Sequence, residues 1–200
     1  MSWISIIPFS DAEGQLRRLY ERVKGPEDYI DNILQVHSLR PHTLKGHMAL
    51  YKNVLHHAGN TLPKWLLETI GVYVSMLNRC TYCVEHHAAG LRRLLRDDNR
   101  TQQICQALAN DQPAAVFNGA HLALMWYARK LTLEPAGMTK GDIDALRQHG
   151  LSDGEILEAN QVVSYFAYAN RTVMGLGVTT DGDILGLSPA TGSEDEWAHH

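Results

Sequence analysis

The sequence predicts an all-α protein, a multi-helix bundle. Apolar residues recur at three- and four-residue spacing in one segment after another, which is the pattern of helices with one buried face. Capping residues and prolines stand where these segments begin, and no stretch alternates apolar and polar residues as a half-buried strand does. With 200 residues, 44% of them hydrophobic and 20% charged, the chain is large enough to bury a sizeable core.

Residues 1–60 are predicted to form an N-terminal helical extension. Ser10 or Asp11 is expected to cap its first helix. The apolar positions of that helix are Leu16, Leu19, Tyr20 and Val23. Short helices around residues 30–36 and 44–55 follow. The scattered histidines of this region are expected to be solvated: His37, His42, His47, His56 and His57.

Residues 61–178 are predicted to form the core of a single domain. Thr61-Leu-Pro63 opens its first helix, with proline at a position where its missing donor costs nothing. The next helix contains Cys80 and Cys83 and runs to about residue 95. Thr101 is expected to cap the helix after it.

Three further helix starts are predicted, at Asp111-Gln-Pro113, at Thr139 with Asp142, and at the capping box Ser152-Asp-Gly-Glu155. The first of these helices has an apolar face at Phe117, His121, Leu124, Ala128 and Leu131. The last has one at Ile156, Ala159, Val163 and Phe166. Residues 179–200 are rich in Gly, Asp, Ser and Glu, and we expect a loop-like tail that is ordered only against a neighbouring subunit.

Charge and composition argue against several classes of function. A net charge of -4 provides no basic field for nucleic acid and no polybasic anchor for a membrane surface. No apolar run approaches the roughly 18 residues needed to span a bilayer, and the N-terminus lacks the pattern of a signal peptide. We therefore expect a cytoplasmic protein.

The three cysteines are too few, and odd in number, for a secreted disulfide scaffold. Cys80 and Cys83 have the C-x-x-C spacing of redox or metal chemistry, whereas Cys105 is expected to fill core space. On a helix, Cys80, Cys83 and His87 share one face, since they are three and four residues apart. A helix start and a nearby imidazole both lower the pKa of a thiol. His86 is rotated away and is expected at solvent or an interface.

Glu68 is the only charged residue between Lys64 and Arg79, in a segment that is apolar nearly all round. Its burial is expected to raise the carboxyl pKa toward that of a general base. His87 is the nearest plausible partner, because consecutive helices usually pack together. Glu68 and His87 are thus candidates for moving a proton to and from a cysteine. Tyr73 and Tyr82 are expected to be packing residues, although Tyr82 is placed to line the pocket.

Three other interpretations remain open. Cys80, Cys83 and His87, with His86 or Glu68, are suitable zinc ligands, although no second ligand pair is present. A non-catalytic helical oligomer that senses redox state, and a lactone decarboxylase, are the others. No phosphate loop, haem or flavin signature occurs in the sequence. If the cysteines act as redox thiols, no cofactor and no bound metal are therefore expected.

The span from Glu68 to Cys80-Thr-Tyr-Cys83-Val-Glu-His-His87 resembles the alkyl hydroperoxidase D-like branch of the carboxymuconolactone decarboxylase superfamily. Other segments resemble its uncharacterised peroxidase-related subgroup: Tyr127-Ala-Arg-Lys-Leu-Thr132, Gly150-Leu-Ser-Asp-Gly-Glu-Ile156, and Asn170-Arg171 with Gly175-Leu-Gly-Val178. The resemblance extends over about residues 4–178. It implies an all-α fold and a homo-oligomer, either a dimer or trimers built into hexamers.

The resemblance also implies a peroxidase that reduces peroxide through the cysteine pair. Cys83 would attack the peroxide, Cys80 would resolve the sulfenic acid as a disulfide, and Glu68 with His87 would relay the proton. A small thiol, thioredoxin or a lipoyl domain would then reduce the disulfide. One departure is Tyr82, since the best-known members carry a histidine between the cysteines.

Overall fold

The structure, a computed structural model, describes residues 2–188 of the chain. This part contains nine α-helices and no strand, so the predicted all-α fold is confirmed. The helices are α1 Gly14–Val23, α2 Asn32–Gln35, α3 Pro41–Tyr51, α4 Lys64–Leu77, α5 Thr81–Leu95, α6 Asp98–Ala109, α7 Gly119–Leu133, α8 Lys140–Gln148 and α9 Asp153–Gly175. None of the described helices is long and apolar enough to cross a membrane.

Helix α4 is the centre of the bundle and packs against α5, α6, α7 and α9. Every residue from Leu66 to Ser75 is buried, as expected for a segment that is apolar on nearly all sides. Gly71 allows the closest approach, because a Cβ atom there would overlap the ring of Phe166 on α9. The buried apolar cluster runs from Ala12 to Ala169, so it includes side chains of the N-terminal extension. The proposed division at residues 60 and 178 stays a prediction.

Several predicted helix starts were wrong by a few residues. Ser10 and Asp11 belong to a short 3-10 turn, and α1 begins at Gly14, although its predicted buried face is correct. Helix α6 begins at Asp98 because Asp97 accepts the backbone N–H of Arg100 and thereby caps the helix before Thr101 is reached.

Pro113 starts a 3-10 turn, and the helix predicted there, α7, begins at Gly119. The two predicted capping boxes, at Thr139 with Asp142 and at Ser152 with Glu155, are both present. In each box, two side chains three residues apart accept hydrogen bonds from backbone N–H groups at the start of the helix. Because the spacing is fixed and local, such a box can be predicted from the sequence.

The C-terminal segment differs from the prediction. Residues 179–188 are ordered against their own chain, where Asp183 accepts hydrogen bonds from the Tyr82 hydroxyl and the Asn32 backbone N–H. This part of the predicted tail therefore needs no neighbouring subunit to hold it. Residues 189–200 lie outside the described residues.

Candidate active site

The two cysteines lie at the beginning of α5. Arg79 has a left-handed backbone with φ 59°, which turns the chain sharply between α4 and α5. Cys80 is the N-cap residue of α5 and Cys83 lies in its first turn. Both thiols are free and buried, and their Sγ atoms share a hydrogen bond 3.1 Å long. A disulfide bond is about 2.05 Å long, so these sulfur atoms are close enough to join after a small movement.

The two thiols differ in acidity. The hydrogen bond from Cys83 lowers the pKa of Cys80 despite partial burial, and the Cys83 backbone N–H lowers it further. The same pairing raises the pKa of Cys83 well above its ordinary value, and burial raises it again. In the reduced pair, negative charge therefore resides preferentially on Cys80. The thiol acidity expected at a helix start is found only at the capping cysteine.

Glu68 and His87 form a buried pair across α4 and α5. Glu68 Oε2 lies 2.7 Å from His87 Nδ1, as the packing of consecutive helices predicts. Burial by itself would raise the carboxyl pKa, but charge interaction and hydrogen bonding with His87, together with the charge of His56, lower it overall. The expected rise in the pKa of Glu68 was therefore wrong. Glu68 is an anion that orients His87, and the Nε2 atom of His87 is left to exchange a proton.

Asp183 belongs to this region although no sequence pattern indicated it. Its carboxylate accepts the Tyr82 hydroxyl at 2.8 Å and pairs with His86 Nε2 at 3.0 Å. The Tyr82 hydroxyl in turn accepts the backbone N–H of Ile33 at 3.0 Å. His86 is thus paired with a buried carboxylate instead of facing solvent. Tyr82 links α2, α5 and the C-terminal segment.

A cavity of about 40 Å³ connects these groups. Its wall contains Cys83, Glu68 and His87, whereas Cys80 is not among the lining residues. Aromatic side chains and the C-terminal segment line the rest of the cavity. These residues include His47, Tyr51, Tyr82, Tyr165, Gly186, Leu187 and Ser188. The cavity volume suffices for one or two water molecules.

The prediction that the N-terminal histidines are solvated was wrong for His37, His47 and His56, which are buried. They lie among aromatic rings: His47 stacks on Tyr51 at a centroid distance of 6.5 Å, and Tyr51 meets His56 at 4.8 Å. His42 is exposed as expected, and His57 is half-buried. Cys105 is half-buried on α6, so it fills core space only in part.

The zinc interpretation is not favoured by the geometry. Within residues 2–188, the group of at least three His, Cys, Asp or Glu side chains with ligand atoms close enough to share an ion is Asp31, His86 and Asp183. It includes neither cysteine. His87 directs Nδ1 to Glu68, and the carboxylate of Asp183 is occupied by hydrogen-bond donors.

A family comparison covers the segment that contains the site. Residues 41–129 match the model of the carboxymuconolactone decarboxylase family, and this segment includes all four candidate catalytic residues. This segment is therefore similar to a carboxymuconolactone decarboxylase domain. No curated protein matches the sequence of the whole chain.

Solved structures extend the likeness to most of the chain. An alkylhydroperoxidase AhpD core protein from Ralstonia eutropha JMP134, described as peroxidase-related, superimposes with a TM-score of 0.75 at 21% identity, over 89% of this chain and 91% of that one. A peroxidase-related protein from Silicibacter sp. TM1040 gives 0.70 at 22% identity, over 88% and 87%. The debrominase Bmp8 in complex with 2,3,4-tribromopyrrole gives 0.69 at 19% identity, over 88% and 90%. These similarities establish the AhpD-like fold.

Proposed function

We propose that the protein is a thiol-dependent peroxidase of the alkyl hydroperoxide reductase type. The observation that carries the proposal is the 3.1 Å approach of the Cys80 and Cys83 sulfur atoms beside a cavity that also contains the Glu68–His87 pair. Nucleophile, resolving thiol and proton carrier are thus together in one buried site. The AhpD-like fold and the peroxidase-related relatives support the same activity.

The proposed cycle has three balanced steps. A cysteine thiolate attacks the distal oxygen of the peroxide, the O–O bond breaks, and the leaving alkoxide or hydroxide takes a proton from His87, which yields a sulfenic acid. The second thiol attacks the sulfenic sulfur, the S–O bond breaks, and water leaves as the disulfide forms. Two electrons from an external dithiol or two small thiols then restore both cysteines, and no other cofactor is needed.

Cys83 is the proposed attacking residue because it lines the cavity, whereas Cys80 does not. The lower pKa of Cys80 makes it the preferred thiolate at rest. The negative charge must therefore move to Cys83 before attack, with the proton passing either to Cys80 or to His87. Once oxidised, Cys83 faces the sulfur of Cys80, which is already in contact and is the more acidic of the two thiols. We also propose a cytoplasmic location, where reducing thiols are abundant, and a homo-oligomeric state.

The test is a pair of serine variants. Cys83→Ser should abolish peroxide consumption, whereas Cys80→Ser should leave a Cys83 sulfenic acid that dimedone traps and mass spectrometry locates. Trapping on Cys80 in the Cys83→Ser variant, with Cys80→Ser inert, would reverse the two roles. Wild-type consumption in both variants would rule out the proposed function, and consumption without turnover by any thiol would favour a redox sensor. Cys105→Ser serves as the matched control and should change nothing.

Reductive dehalogenation is a second candidate. The rings of Tyr51, Tyr82 and Tyr165 line the cavity, and a debrominase shares the fold. The cavity of about 40 Å³ would have to widen before it could admit a halogenated ring. The thiolate would take a halogen cation from an electron-rich ring, the ring would gain a proton, and the second thiol would displace halide as the disulfide forms. Release of bromide from a bromopyrrole in the presence of dithiothreitol would support this candidate.

A further inference from the structure

Residues 179–188 lie along one face of α5. Thr180 donates to Glu85 at 2.6 Å, Asp183 binds Tyr82 and His86, and the carbonyl of Gly186 accepts Arg93 Nη1 at 2.6 Å. These α5 side chains are three, four or seven residues apart, so they form a single stripe on the helix. The C-terminal segment follows this stripe for more than two helical turns.

Asp183 is the strongest attachment of this segment. Its side chain is 1% exposed, and its oxygens accept hydrogen bonds from Tyr82 and from the backbone N–H of Asn32 while pairing with His86. Burial by itself would raise the pKa of Asp183, but hydrogen bonds from His86, Tyr29 and Tyr82 lower it overall. The carboxylate is therefore held as a buried anion, and charge-assisted hydrogen bonds of this kind are about twice as strong as neutral ones.

Gly186 marks the closest approach of the segment to α5. Its φ is +79°, and a Cβ atom there would lie 2.9 Å from the carbonyl carbon and the Cβ atom of Ala89. It would also lie 3.0 Å from the backbone nitrogen of Gly90. Real Cβ atoms do not approach backbone atoms so closely, and a side chain at Gly186 would push the segment away from the helix.

The end of the segment lines the thiol cavity. Gly186, Leu187 and Ser188 form part of its wall, together with Cys83 and His87. The cavity volume of about 40 Å³ matches a molecule the size of water or hydrogen peroxide and is too small for an aryl hydroperoxide. Moving these three residues away would open the cavity on this side.

We propose that residues 179–188 are a strap that selects peroxides by size: they admit hydrogen peroxide to Cys83 and restrict bulky organic hydroperoxides. Asp183 is the specificity-determining residue, and it acts through the position of the strap. The identity of the substrate rests on the proposed peroxidase function. The restriction of access to Cys83 does not, because it concerns the cavity itself.

The test compares labelling of Cys83 by a small and a bulky reagent, iodoacetamide and a biotin maleimide, with peptide mass spectrometry as the readout. Asp183→Ala removes the carboxylate that holds the strap in place. Gly186→Ala pushes the strap away from α5 without changing a charge. We expect the bulky-to-small rate ratio to rise about tenfold in Asp183→Ala, the effect of losing one charge-assisted hydrogen bond, and to rise in Gly186→Ala because of the steric displacement. The matched control is Asp181→Ala, because the carboxylate of Asp181 bonds Thr179 within the strap; its ratio should equal that of the wild type.

Circular dichroism identifies variants that fold. Thr180→Val, which removes only the bond to Glu85, provides a mild third variant with a smaller rise in the same ratio. An unchanged ratio in every folded variant would overturn the strap. A wild type that consumes no peroxide while its variants gain bulky labelling would overturn the peroxidase and leave the strap. If the protein is a peroxidase and the strap restricts access to Cys83, the ratio of cumene hydroperoxide to hydrogen peroxide turnover should rise with the labelling ratio.

Discussion

Cys80 lies just before the first turn of α5 and Cys83 lies inside it, and this short separation divides their acid–base chemistry. Cys80 receives the Cys83 backbone N–H and the thiol hydrogen bond, so its anion is stabilised. Cys83 supplies that hydrogen bond, and its burial adds to the effect, so the pKa of Cys83 is raised. The pairing within the C-x-x-C motif thus makes the two thiols unequal, although a hydrogen bond from Asn170 partly offsets the rise at Cys83.

The role of Glu68 in orienting His87 can be tested by substitution. Glu68→Gln keeps the shape of the side chain but removes the charge that orients His87 at 2.7 Å. Because acid–base assistance contributes at least a factor of about 10², we expect the peroxide turnover number to fall by about that factor while KM changes little. Steady-state kinetics with hydrogen peroxide provide the measurement.

A matched control for this variant is Glu21→Gln on α1, since Glu21 is exposed and pairs only with neighbouring cations. It should retain wild-type kinetics. If Glu68→Gln kept a turnover number within about twofold of the wild type, His87 would not depend on Glu68 and the relay would be excluded.

Among the elements, the crossing of α4 and α9 is the one most sensitive to side-chain size. Phe166 covers Gly71 so closely that no Cβ atom fits between the two helices. The buried hydrogen bond from Asn170 Nδ2 to Ser75 Oγ, 3.1 Å long, connects the same pair of helices. This crossing holds α4 in place and, through Glu68, sets the position of the site.

Gly71→Ala tests the crossing. We expect it to lower the free energy of unfolding by about 1–3 kcal/mol, because overpacking forces the helices apart by more than the gain in helix propensity restores. Gly46→Ala in α3 is the matched control, since a Cβ atom there has no neighbour within 4 Å. It should stabilise the protein by up to about 1 kcal/mol. Urea unfolding measures both, and equal effects of the same sign would contradict the close crossing.

For the whole molecule, two buried anions make stability depend on pH. The ordinary pKa values are 4.5 for Glu68 and 3.8 for Asp183, and both are lowered in the folded protein. As pH falls below these ordinary values, the unfolded chain takes up protons before the native chain does. The stabilisation by these groups is therefore complete above about pH 5 and is lost as pH falls through their lowered folded values.

We expect the free energy of unfolding to decrease between pH 5 and pH 3 more steeply in the wild type than in a Glu68→Gln, Asp183→Asn double variant. Other paired carboxylates, such as Asp142, whose pKa is about 2, contribute equally to both proteins and cancel in the comparison. Urea titrations at several pH values measure the two slopes. Equal slopes would show that neither group is held as an anion in the fold.

The oligomeric state is a further property of the whole molecule. Several large apolar side chains are exposed in the described part of the chain: Trp126, Leu133, Leu157 and Met174 among them. The expected dimer, trimer or hexamer stays a prediction, and sedimentation of the full chain tests it directly.

The sequence by itself determined the local features of the protein. The buried face of α1, the two capping boxes and the placement of Cys80 and Cys83 at a helix start were readable because each depends on residues three or four positions apart. The pairing of Glu68 with His87 was also predictable, since adjacent helices of one hairpin carry them. The starts of α1 and α7 were missed because their N-cap residues, Glu13 and Asn118, do not cap through their side chains. The start of α6 was missed because Asp97 caps it ahead of Thr101.

Only the tertiary structure decided the environment of these residues. Asp183 is 101 residues from Tyr82 in sequence and Thr180 is 95 from Glu85, so no local pattern could place the C-terminal segment on α5. The direction in which the pKa of Glu68 shifts could not be predicted from the sequence either. Burial raises this pKa and two histidines lower it, and only the distances decide which effect prevails. The burial of His37, His47 and His56 followed from aromatic rings contributed by other elements. Local geometry is encoded in spacing, whereas burial and charge depend on partners that only the completed fold brings together.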